Sequence, residues 1–186
     1  MVPLTQEAHD LVQGCLSPGD TAIDATAGNG HDALFLATTV GELGHVFAID
    51  VQPAACAACQ QRVSAAGQTN VQVIHGDHAQ FEQLIPGEYR GKVAAVMFNL
   101  GYLPGGDKTI VTTAERTVRA LAHSLEWLRD GGILCIIAYR GHPGGREEAA
   151  AVEAWLRERE SEGHLRLTCA TFSESQTPVL LALQKG

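Results

Sequence analysis

Five short apolar runs, over residues 21–25, 45–50, 71–75, 93–99 and 133–139, are separated along this chain by stretches long enough for a helix or a crossover. Runs with so little polar alternation need cover on both faces, and a parallel sheet between two layers of helices provides it. The helical patterns fall where that requires. Ala8, Leu11, Val12, Cys15 and Leu16 share one stripe until Ser17-Pro18-Gly19-Asp20 breaks it. Helices are predicted over about 30–39, from Pro53 to about residue 66, and over about 146–160, where Val152, Trp155 and Leu156 are the buried positions. The clearest pattern, 110–128, spaces Val111, Ala114, Val118, Leu121, Leu125 and Leu128 three and four apart. Arg116, Arg119 and Glu126 lie off that stripe, on a solvated face, and Gly131-Gly132 stops the helix.

Two last runs, 165–172 and 179–184, are joined by a segment too short for a crossover helix, so they pair antiparallel. The prediction is an α/β fold: an open, doubly wound, mostly parallel sheet of seven strands ending in an antiparallel hairpin. With 186 residues, 45% of them apolar, and neither repeat nor linker, residues 1–186 read as a single domain. No apolar run approaches the ~18 residues of a membrane span. The first ten residues hold Glu7 and Asp10 but no Lys or Arg, unlike a secretory signal. Five cysteines are an odd number, suited to reduced thiols, so a cytoplasmic protein is expected. The net charge of −8 argues against nucleic acid, yet residues 86–146 hold eight Lys/Arg against five Asp/Glu. Local field decides docking, so charge permits an RNA partner without predicting one.

In such sheets ligands bind beyond the carboxyl ends of the strands, near the switch in strand order. The residues there are Asp24 to Gly30, Asp50, Gly76-Asp77-His78, Asn99 to Pro104 and Tyr139 to Gly145. Gly28 and Gly30 let a turn approach a nucleoside closely. Asp50 is placed to accept from ribose hydroxyls, and Asp77 from an adenine amino group. Thr26, Asn29, Gln52, His78 and Asn99 are counted with this adenosine site. Gly28-Asn29-Gly30-His31-Asp32-Ala33 fits G-x-G-x-x-G/A, with Asp50 twenty residues beyond Gly30, so a dinucleotide is allowed. S-adenosylmethionine is favoured over it, because Asp24 would crowd a pyrophosphate but suits a cationic amino-acid end. A second domain for a hydride acceptor is also lacking, and the closing hairpin is unusual for a dinucleotide sheet. His75, Asp77 and His78 are metal-ligand types, but Asp77 is better used by adenine and no metal is expected. Cys56-Ala-Ala-Cys59 has no partner pair, so neither zinc nor redox use is assigned. His31 and Asp32 open a helix, where Asp32 favours the dipole.

These residues resemble a known group. Asp24 to Gly30, Asp50, Asn99-Leu100-Gly101-Tyr102-Leu103-Pro104-Gly105-Gly106-Asp107-Lys108 and Gly141-His142-Pro143-Gly144-Gly145 are similar to the YtqB/MnmM family of class I methyltransferases. The resemblance spans nearly the whole chain and implies a Rossmann-like methyltransferase fold. It also implies S-adenosylmethionine-dependent methylation of the amine of 5-aminomethyl-(2-thio)uridine at the tRNA wobble position. Thr26 stands where the general methyltransferase motif has its first Gly.

A neutral amine is already a nucleophile, so the protein must align nitrogen with methyl, exclude water and take up a proton. Asn99 and the Leu100 carbonyl are placed to accept from the amine, Tyr102 to stack on the uracil, and His142 either to take the proton or to support its turn. Asn99-Leu-Gly-Tyr102 is similar to the Asn-Pro-Pro-Tyr loop of amino-group methyltransferases. Tyr102, Pro104, Lys108, Arg140, His142 and Arg146 are the expected substrate contacts, the three cations either meeting phosphates or lying solvated. A tRNA anticodon loop is the expected partner, with no membrane and with self-association left open. Alternatives are methylation of rRNA or of a small amine metabolite, and a non-catalytic adenosine-binding module.

Overall fold

The computed structural model describes residues 2–103, 105, 111–163, 165–170 and 178–186, without the side chains of 168–170. In chain order the elements are α1 (Leu4–Gln13), β1 (Thr21–Asp24), α2 (His31–Val40), β2 (His45–Asp50), α3 (Pro53–Ala65), β3 (Val71–His75), α4 (Phe81–Leu84), β4 (Val93–Leu100), α5 (Ala114–Trp127), β5 (Leu128–Ala138), α6 (Gly145–Ser161), β6 (Leu165–Ala170) and β7 (Val179–Lys185). Two 3₁₀ turns, His78–Gln80 and Gly87–Tyr89, flank α4.

The strands form one sheet in the order β3-β2-β1-β4-β5-β7-β6. Strands β1 to β5 run parallel, with Ile23 opposite both Phe47 and Val96, and Met97 opposite Cys135. Strand β7 enters antiparallel between β5 and β6, as the short last connection requires. The order reverses between β1 and β4, the switch point of the sheet.

Period-two alternation decides what each strand end faces. On β4, Val96, Phe98 and Leu100 pack with Leu121, Trp155 and Leu156 in the core under α5 and α6. Ala95 and Met97 point the other way, into the core shared with Val12, Leu36 and Val40 of α1 and α2. Asn99 is in phase with Ala95 and Met97, and Asp24 with Ala22, so both polar ends emerge on the α1/α2 side.

Three boundaries differ from expectation. Helix α5 starts at Ala114 because Val111 is taken by an antiparallel bridge to Tyr102, and the Thr112 N–H donates to Gly101 O at 3.1 Å. It ends before the glycine pair, because Leu128 turns extended and pairs with Val93 at the start of β5. Gly131, at φ +74°, instead carries an irregularity inside that strand. The 76–92 region, given no element from sequence, folds as short turns around α4. Residues 171–172, expected in β6, lie outside the described residues. Among the described residues no helix is long and apolar enough to cross a membrane.

Candidate active site

A cleft of about 750 Å³ opens beyond the carboxyl ends of β1, β2, β4 and β5, at the switch point. Its walls bring together Thr26, Gly28, Asn29, Asp50, Gln52, Asp77, His78, Asn99, Tyr102, Arg140 and His142, all expected there.

The turn after β1 is tied to the end of β2. The Gly28 N–H donates to Asp50 Oδ2 and the Gln52 N–H to Asp50 Oδ1, both at 2.9 Å. Each carboxylate oxygen keeps a further lone pair for a ligand hydroxyl. Gly30 closes the turn at φ +77°, and a Cβ there would stand 2.8 Å from Cys59 Cα of α3. Only glycine satisfies both demands. Asp77 caps a 3₁₀ turn, with Oδ1 accepting from the Ala79 N–H at 2.9 Å and Oδ2 lying 3.4 Å from Arg116 Nη1. Arg116 was expected on a solvated face. It is exposed as expected and also lines the cleft, because α5 begins late and its first turn stands beside Asp77.

Asp24 is fully buried. Its Oδ1 accepts from the Thr26 N–H at 3.2 Å, while Oδ2 has no partner among the described residues. Burial, reinforced by the carboxylates of Asp32 and Asp50, pushes Asp24 well above its ordinary 3.8. Burial likewise holds the His78 imidazole below its usual value, against the opposite pull of Asp77. The cleft wall carries the carboxylates of Asp32, Asp50 and Asp77, while Asp24 is buried outside its lining.

At the end of β4 the Asn99 N–H donates to Thr26 Oγ1 at 2.6 Å. The hydroxyl that replaces the general motif's first glycine therefore fastens β4 to the turn after β1. Asn99 Nδ2 donates to Asp32 Oδ2, and Asp32 Oδ1 lies 2.7 Å from His9 Nε2. Tyr102 is 41% exposed, edge-on to His142 with ring centroids 6.3 Å apart. His142 is buried; its Nδ1 lies 3.0 Å from Pro143 O, and its Nε2 has no partner among the described residues. A carbonyl only accepts, so Nδ1 carries a hydrogen, while Nε2 is enclosed beside Gly145. Buried Glu148 of α6 accepts from Thr112 Oγ1 at 2.7 Å and Thr117 Oγ1 at 2.5 Å, anchoring the return limb of the Tyr102 loop.

Other expectations are corrected. Leu100 does not line the cleft: it is fully buried, and its carbonyl accepts the Tyr139 N–H at 3.0 Å in the sheet. Arg140 lines the cleft, but its guanidinium is paired with Glu153 of α6 and is largely buried, so it is not a loose phosphate hook. Arg146 is exposed on the first turn of α6, away from the cleft. Pro104 and Lys108 lie outside the described residues. Sequence reasoning did not assign Thr5, Gln6 and His9 of α1, or Val51, to the cleft they line. The α1 stripe hides them, since His9 lies off its buried face. Asp32, read as a helix-dipole residue, is a buried partner of Asn99. His75, weighed as a metal ligand, lies 2.9 Å from Val51 O.

Residues 46–185 match the family model described as "Putative rRNA methylase". Residues 3–87 also match that of "Protein-L-isoaspartate(D-aspartate) O-methyltransferase (PCMT)". The chain is 38% identical over 160 residues to the "tRNA (mnm(5)s(2)U34)-methyltransferase, chloroplastic" of Arabidopsis thaliana, a match covering 81% of this chain and 58% of that protein. It thus spans less than two thirds of that relative's length. A "putative rRNA-methylase" from Clostridium thermocellum superposes with a TM-score of 0.92 at 34% identity, covering 100% of this chain and 99% of the other. A "putative methyltransferase" from Streptococcus mutans, solved in complex with SAH, gives 0.85 at 29% identity, covering 100% and 99%.

Proposed function

Because this chain belongs to the "Putative rRNA methylase" family, we propose that it is an S-adenosylmethionine-dependent methyltransferase that methylates the amine of 5-aminomethyl-(2-thio)uridine at the tRNA wobble position. One observation carries the reading. A single cleft holds an acidic nucleoside cradle and, at the end of β4, an asparagine whose amide nitrogen is already engaged by Asp32, leaving its oxygen for an amine. The tRNA-modifying Arabidopsis relative supports the acceptor, and the SAH-bound Streptococcus structure supports the cofactor. The match to the second methyltransferase family takes in Asp24, Asp50 and Asp77 but not Asn99, as expected if the cradle serves the cofactor and β4 the acceptor.

The residues present fit this cofactor. Asp24 Oδ2, buried and without a partner among the described residues, is the kind of orphan that a cationic amino-acid end satisfies. Asp50 would hold the ribose hydroxyls and Asp77 the adenine amino group, with Gly28 allowing close approach, while Gly30, expected with them, instead packs on Cys59 of α3 outside the cleft lining. When bound, S-adenosylmethionine supplies an electrophilic methyl group on a sulfonium. The chain's own part is alignment and proton removal. Asn99 Oδ1 accepts an N–H of the neutral amine and so aims its lone pair, Tyr102 stacks on the base, and His142 accepts the proton released once nitrogen carries the methyl.

The test is nucleoside mass spectrometry of tRNA bearing the aminomethyl nucleoside, after incubation with the purified protein and labelled cofactor. One added methyl on that nucleoside is expected; an unlabelled nucleoside refutes the substrate. A small-amine acceptor is the second reading. It is favoured by the net charge of −8 and by the pairing of Arg116 with Asp77 and Arg140 with Glu153, which leaves these cleft cations already engaged. Label transferred to a free alkylamine and not to tRNA would select it.

A further inference from the structure

Resting on the methyltransferase reading, we propose that Asp32, held in turn by His9, is the positioning residue that turns the Asn99 amide so that its oxygen faces the reacting amine. An asparagine at the end of β4 has two ends of nearly the same shape, one a donor and one an acceptor. Only the acceptor can receive an N–H and leave the nitrogen lone pair free for the methyl group. Something in the fold must choose between them.

Asp32 makes that choice by chemistry. A carboxylate only accepts, so the side of Asn99 turned to it must be Nδ2, and Oδ1 is left for the cleft. The backbone of Asn99 is held independently, by its N–H on Thr26 Oγ1 at 2.6 Å. With the main chain pinned and one side-chain end engaged, little freedom remains. Asp32 is fixed as well. It is 7% exposed, stands on the first turn of α2, and its second oxygen meets His9 Nε2 at 2.7 Å. The His9 ring lies flat on Phe35, centroids 3.9 Å apart and planes 4° from parallel, which sets the direction of that bond. The chain His9–Asp32–Asn99 thus links α1, α2 and β4 and ends in the cleft. Its charge also polarises the Asn99 amide, making Oδ1 a stronger acceptor.

A helix-dipole role for Asp32 would leave turnover untouched, so the tests separate the two. Asp32→Asn keeps the shape but can offer either end, releasing Asn99 to flip. Expected are cofactor affinity and KM for tRNA within about threefold of wild type, with kcat lowered roughly 100-fold, the cost of a misplaced reacting group. The double variant Asp32→Asn with Asn99→Asp restores the bond with donor and acceptor exchanged and again turns an oxygen to the cleft. It should recover at least about tenfold of the lost kcat. If Asp32→Asn alone keeps wild-type kcat, the proposal is wrong. Should that variant fail to fold, His9→Gln, which retains a donor, is compared with His9→Leu, which does not; equal kcat for both overturns the claim. A readout without substrate distinguishes this inference from the function it rests on. In NMR spectra, one Asn99 side-chain amide proton should be shifted and protected from exchange, and Asp32→Asn should abolish both effects. A freely rotating Asn99 amide in the wild-type protein refutes the positioning role whatever the acceptor proves to be. A protected amide beside absent tRNA methylation would leave the positioning intact and sink only the substrate.

Discussion

Replacing Asp50 with alanine tests the cofactor cradle most directly. The carboxylate receives two backbone N–H groups, from Gly28 and Gln52, at 2.9 Å each, and stands in the cleft wall with lone pairs to spare. A hydrogen bond to a charged group contributes about 1.5–3 kcal/mol. Two ribose hydroxyls would therefore draw about 3–6 kcal/mol from this one side chain. Asp50 is only partly buried, so water screens it and the lower part of that range applies. A loss of about 3–4 kcal/mol corresponds to a dissociation constant raised roughly 10²- to 10³-fold. Asp50→Asn should be nearly as damaging, because its amide retains one acceptor but turns a donor toward a backbone N–H. Isothermal titration of S-adenosylmethionine or its demethylated product into wild type and both variants gives the constants, with circular dichroism to confirm folding. Folded variants that bind within about threefold of wild type would refute the ribose assignment.

Asp24, raised by burial, keeps its proton in the folded state at pH values where the unfolded chain has lost it. Stability from this group is therefore lost as pH rises from 3.8 to the raised folded value, and is constant above it. Asp24→Asn should accordingly melt higher than wild type near neutral pH, with the gap closing toward about pH 3.5; a gap independent of pH would contradict the assignment. His142→Gln should lower kcat by about tenfold or more while leaving cofactor affinity unchanged, since His142 is needed only for the proton; an unaltered single-turnover rate would remove His142 from the mechanism. Gly30→Ala faces both a left-handed φ and a contact at 2.8 Å, so a marked fall in melting temperature and in cofactor affinity is expected; a variant as stable as wild type would show that α3 can yield there.

The layer order was legible because burial on both faces leaves its mark on neighbouring residues. The runs at 21–25, 45–50, 71–75, 93–99 and 133–139 all became parallel strands, and the brief last connection did force an antiparallel pair. Turn chemistry is equally local, which is why Gly28, Asn29, Asp50, Asp77 and Asn99 were recognised and fall in one cleft. Boundaries of α5 were misread because the apolar stripe continues through Val111 and Leu128, while long-range pairing with Tyr102 and Val93 claims those two residues for other structure.

The amino-acid order alone determined which segments are strands and which residues gather at their ends, since both follow from spacing and burial over a few positions. Only the folded chain decided the partners of each polar group. Asp32 meets Asn99 across 67 residues because alternation on β4 turns that side chain toward α2. Arg140 reaches Glu153 and Arg116 reaches Asp77 because α6 and α5 return to the same end of the sheet. Such pairings depend on which face each element presents after crossing, a relation among distant segments that no local pattern encodes.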